Sequence, residues 1–142
     1  MRKYLGAWAL VLLAMGLMDA VWIGWLAHPL YQQGLGHLMA PQVKLVAAIA
    51  FYMVYGVGLL LFVVAADGAS APWGRTLWRG ALFGFVAYAV YDLANLATLR
   101  DWPLGVALID MAWGSLASAA AAAAGKAGFD RLSGESPGAP AG

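Results

Sequence analysis

Apolar residues run almost unbroken through four stretches of the chain, and polar residues collect in the intervals between them. The stretches cover about 4–27, 44–66, 77–99 and 104–125. Each reaches the roughly 20 helical residues needed to cross a hydrocarbon core about 30 Å thick. Punctuation between them fits helix ends. His28-Pro29 follows the first stretch, Pro41 precedes the second, a Gly/Ser/Pro-containing turn occupies 67–74, and Trp102-Pro103 opens the fourth. The expected architecture is all-α, an integral membrane four-helix bundle over 1–127. A flexible tail is expected over 128–142, where Gly, Pro, Ala and Ser dominate. The start, Met1-Arg2-Lys3 and then apolar residues, has the opening of a signal peptide. However, the apolar run passes Asp19 and continues to Leu26, longer than a signal core, so a spanning helix is expected there.

Composition supports the membrane reading. The chain of 142 residues is 63% hydrophobic and 11% charged, against about 25% charged in soluble domains. A net charge of +1 with no basic cluster excludes nucleic acid as a partner. With no cysteine, disulfides, thiolate metal sites and cysteine nucleophiles are excluded. Arg2, Lys3, Arg75, Arg79, Lys126 and Arg131 fall on one side of the four stretches; Lys44 and Arg100 fall on the other. The positive-inside rule then places both termini in the cytoplasm, with 28–43 and 100–103 facing outward.

Charge inside the apolar stretches is the strongest functional signal. Of seven acidic residues, three (Asp19, Asp92 and Asp110) lie where lipid is expected. Each costs roughly 2.5–3.5 kcal/mol at a helix centre on insertion scales. From the helical rise, all three sit about 9–12 Å below the outer boundary, on helices one, three and four. Tyr52 of helix two reaches a similar depth. Gly80, Gly84, Tyr88, Asp92 and Asn95 form one stripe of helix three, and Asp110, Trp113, Gly114, Ala117 and Ser118 form one face of helix four. Gly80-x-x-x-Gly84 and the Gly/Ser/Ala run 114–125 suit tight contacts within the bundle. The candidate ligand-binding set is Asp19, Asp92, Asn95, Asp110, Tyr52, Tyr88, His37 and Arg100. His28, Tyr31, Gln32 and Gln33 lie in the loop expected above it.

Three carboxylates close together in low dielectric share protons, pair with cations or reach water. Lys44, Arg100 and the histidines are the available cations; a bound metal or organic cation is another solution. The plain structural alternative is a set of carboxyls that only tie helices together. Two histidines nine residues apart match no metal motif, and oxygen-rich ligands would favour Mg, Ca or Mn. The tyrosines also suit simple packing. Asp19-Ala20-Val21-Trp22 and Asp110-Met111-Ala112-Trp113 share the spacing Asp-x-x-Trp, which Asp92 repeats with Asn95; four-residue matches do not establish a duplication.

Several longer strings carry a resemblance. They are Met18-Asp19-Ala20-Val21-Trp22-Ile23-Gly24, Gly36-His37-Leu38-Met39-Ala40-Pro41, the run Tyr91–Arg100, Trp102-Pro103-Leu104 and Ile109-Asp110-Met111-Ala112-Trp113-Gly114. Together they resemble the bacterial membrane family called domain of unknown function 2177, over residues 1–126. The resemblance implies a small multi-pass protein of the bacterial inner membrane and carries over no catalytic residue or cofactor. The leading expectation is a carboxylate pocket that binds, or passes, a proton, cation or small polar ligand. A lipid- or isoprenoid-modifying enzyme using the carboxylates and His37 is the second. An accessory subunit that engages a membrane partner through its aspartates or its Ala-rich fourth helix is the third.

Overall fold

The computed structural model describes residues 1–134. It is all-helical, with four helices long and apolar enough to span a membrane. In chain order these are α1 (Arg2–Leu26), α3 (Leu45–Val64), α4 (Trp73–Thr98) and α5 (Leu104–Ser133). A short helix, α2 (His28–Leu35), follows α1 with Pro29 in its first turn, where a missing N–H costs nothing. The first connection was expected to be a loop, but its first half coils instead. Both α1 and α3 end in a wider π-helical turn, over Trp22–Leu26 and Leu60–Val64, closed by Ala27 N–H to Trp22 O and Ala65 N–H to Leu60 O.

Proline sets the starts of α4 and α5, whose preceding residues Pro72 and Pro103 are extended. Helix α5 runs to Ser133 rather than stopping near 125, and Gly134 ends it with a left-handed φ of 77°. The reason for the extension is packing. Gly128, Phe129 and Asp130 are buried; Gly128 lies against Ala7 and Leu10 of α1, and Tyr4 meets the Phe129 ring edge-on at 5.3 Å. The expected tail over 128–142 is therefore helical to Ser133, and 135–142 lie outside the described residues.

In lipid, helices gain little from the hydrophobic effect and associate through close packing and hydrogen bonds. Helix α5 is built for that. Its buried residues include Ala107, Gly114, Ala117, Ser118, Ala121, Ala122 and Gly125, and it packs on α1 and α4 at once. Gly80 and Gly84 of α4 bring the two backbones together: a Cβ on Gly80 would stand 3.0 Å from Ser118 O, and one on Gly84 would overlap Gly114 O. Both glycines are thus packing notches within the chain. Helix α3 is peripheral. Its buried residues, Tyr55, Gly56, Leu59, Leu60, Val63 and Val64, all belong to its second half. Contacts of Lys126 with the 65–72 turn and of Leu132 with Gly6 put the start of α1, that turn and the end of α5 on one side of the bundle. We call it the termini side.

Candidate carboxylate site

All three membrane aspartates point into the bundle: Asp19 is 5%, Asp92 0% and Asp110 7% exposed. Each is held by neutral aromatic donors. Asp19 accepts from Tyr52 Oη at 2.9 Å and from Trp113 Nε1 at 3.2 Å. Asp110 accepts from Tyr31 Oη, and Tyr31 accepts in turn from Trp22 Nε1 at 3.2 Å. Asp92 accepts from Trp102 Nε1 at 3.2 Å. Among the described residues, no Lys, Arg or His lies within ion-pair distance of any of the three.

The geometry explains the repeated Asp-x-x-Trp spacing. Helices α1 and α5 are antiparallel, so their two Asp/Trp pairs meet head to tail. Trp113 of α5 serves Asp19 of α1, while Trp22 of α1 serves Asp110 of α5 through Tyr31. Between them Trp22 and Trp113 stack, with ring centres 4.3 Å apart and planes 5° from parallel. The aspartates and tryptophans form one cross-braced unit across the α1/α5 contact.

Helix α2 owes its functional interest to Tyr31, which it delivers to Asp110. Burial, and next its hydrogen bond to Asp110, push the Tyr31 hydroxyl well above its ordinary value; the bond from Trp22 opposes this, and the charges of Asp110 and Asp92 add to it. Tyr31 therefore stays a neutral donor at any physiological pH.

Asp92 differs from the other two. It is fully enclosed, near a small apolar cluster of Ala89, Ala107 and Met111 flanked by Trp102. Its Oδ2 has no hydrogen-bond partner among the described residues, and neither has Asn95 Nδ2, one helical turn on. An orphaned acceptor and an orphaned donor thus share one stretch of α4, where each unsatisfied buried group costs about 1–3 kcal/mol.

The other expected site residues divide. Tyr52 joins the network through Asp19. The ring of Tyr88 lies over Gly114 and meets Tyr55 edge-on at 6.4 Å, and its hydroxyl makes no hydrogen bond among the described residues. His37 and Arg100 are exposed and make no side-chain hydrogen bond or ion pair among the described residues, so neither joins the carboxylates. From the sequence, Tyr31 lay only in the loop above the site, and Trp22 and Trp102 had no assigned part in it. Trp113 was on the inward face of α5 without a role. The Asp-x-x-Trp echo was the signal that pointed to two of these. A second polar link was also missed: Tyr55 Oη and Ser118 Oγ share a hydrogen bond at 2.7 Å in the core. No group of three or more His, Asp or Glu able to hold a metal occurs among the described residues.

Four membrane-spanning helices around a buried polar network define a multi-pass membrane protein. The chain belongs to the family of predicted membrane proteins DUF2177, whose model matches residues 4–127. No curated protein and no solved structure matches it.

Proposed function

We propose that the chain exchanges a proton for a small cation at Asp92, with Asp19 and Asp110 as further carboxyls of the same buried network, within the outer half of the bacterial inner membrane and with both termini cytoplasmic. One observation carries the reading: Asp92 is wholly buried, offers one oxygen without a partner, and no cationic side chain approaches it or the other two carboxylates. An unpaired carboxylate in a low-dielectric interior costs several kcal/mol. A proton or a small cation removes that cost, and neutral donors such as Tyr31 and the tryptophans hold the carboxylates without competing for the role. The Asn95 amide beside Asp92 supports a ligand that brings its own hydrogen-bonding atoms, such as a hydrated ion.

Calorimetric titration of the detergent-solubilised protein with NaCl, KCl, MgCl2 and tetramethylammonium chloride, in weakly buffered medium with a pH electrode, tests this. At least one cation gives a saturable heat and releases protons from the wild-type protein, and Asp92→Asn abolishes both while leaving the helical circular dichroism intact. Absence of heat and proton release with all four cations, or their persistence in Asp92→Asn, contradicts the reading.

A further inference from the structure

Two depressions adjoin on the lipid-facing surface, along the seam between α3 and α4. The one nearer the termini side, about 330 Å³, is lined by Phe62 and Val63 of α3 and by Arg79, Leu82, Phe83 and Val86 of α4. The other, about 750 Å³, shares Phe62 and Phe83 and continues along α3 past Gly58 and Val54 to Ala47. The seam opens because the first half of α3 stands away from the bundle: Val46 is 84% and Val54 75% exposed.

The walls are apolar, but one end is not. Arg79 lines the first depression at the termini side. Its Nη1 lies 2.7 Å from Asp67 Oδ2, and Arg75 Nη1 lies 3.6 Å from the same oxygen. One carboxylate thus faces two guanidiniums, leaving a net positive charge and unused N–H donors. Exposed pairs of this kind are weak, and the guanidinium fork matches phosphate oxygens well. Trp73 and Trp78, exposed in the first turns of the same helix, mark this level as the membrane interface.

We propose that this seam is a binding site for one anionic phospholipid of the leaflet on the termini side. The phosphate lies against Arg79 and Arg75, and one acyl chain runs over Leu82, Phe83 and Val86 into the longer depression. Two guanidiniums at one end of an otherwise apolar seam match a phosphate group carried on an acyl chain. The site is separate from the carboxylates, and its fate does not depend on theirs.

The test uses nanodiscs carrying a trace of phosphatidylglycerol or phosphatidylcholine with a diazirine in the acyl chain, followed by peptide mapping. Phosphatidylglycerol labels the Leu82–Val86 region and Phe62 in preference to phosphatidylcholine. Arg79→Gln lowers that labelling about fivefold, the factor expected for one arginine at an anionic surface. Val86→Trp keeps both arginines, fills the seam and lowers labelling by either lipid. An excess of inorganic phosphate changes nothing. Equal labelling by the two lipids overturns the proposal, as do indifference to Arg79→Gln or Val86→Trp and displacement by inorganic phosphate.

Discussion

Replacing Lys126 with methionine destabilises the fold by about 3–5 kcal/mol, the cost of leaving a buried charge without its partner. Lys126 is 2% and Asp130 4% exposed, one helical turn apart on α5. The ammonium sits 3.1 Å from Asp130 Oδ1 and 3.0 Å from Oδ2, donates to Ala69 O at 3.2 Å, and lies 5.5 Å from the centre of the Trp73 ring. It thereby ties the 65–72 turn and the start of α4 to the end of α5. Methionine keeps most of the volume but strands the Asp130 carboxylate and the Ala69 carbonyl. Unfolding in mixed micelles measures the loss. The double variant Lys126→Met/Asp130→Leu recovers most of it, since removing both charges removes the uncompensated one. Equal stability of Lys126→Met and wild type would show that the ion pair is not formed in the membrane.

Gly84→Leu is expected to separate α4 from α5, at a cost of about 3 kcal/mol or more, the upper end for overpacking. A Cβ at Gly84 overlaps Gly114 O and Ser118 Oγ, and two of the three nearest atoms are backbone that cannot rotate away. The insertion also displaces Ser118, breaking its bond to Tyr55. Gly16→Ala is the control. A Cβ there meets nothing within 4 Å, so the variant stays neutral or gains the ~0.5–1 kcal/mol that alanine brings to a helix interior. Thermal unfolding of the two variants side by side checks the contrast; similar behaviour would contradict the close approach of α4 and α5.

The spans and the inward aspects of Asp19, Asp92 and Asp110 were legible in the sequence for one reason. Charge in hydrocarbon is so costly that few placements satisfy it, and the notches at Gly80 and Gly84 follow from the same logic of packing without a hydrophobic drive. The donors were harder to read. An indole near a membrane boundary has an easy place in the interfacial belt, so position alone does not mark Trp22 or Trp102 as a carboxylate donor. Trp25, 79% exposed, follows the belt, while Trp22 turns inward to stack on Trp113. Tyr31 was hidden because the polar stretch 28–35 reads as a loop, and only its packing shows that a helix carries the phenol to Asp110. Lys126 was counted among the charges that set orientation. Its burial was foreshadowed by Asp130 four residues on, the spacing of a helical ion pair, beyond the expected end of α5.

Infrared spectroscopy of the carboxyl groups tests the central claim most directly. In lipid and without added metal cations, the wild-type protein shows a protonated-carboxyl C=O band that the triple variant Asp19→Asn/Asp92→Asn/Asp110→Asn lacks. The band shrinks when the cation active in calorimetry is added, as the proton leaves and the ion takes its place. Spectra of wild type and triple variant that coincide in this region, or a band that no cation reduces, would contradict exchange of a proton for a cation within this carboxyl network.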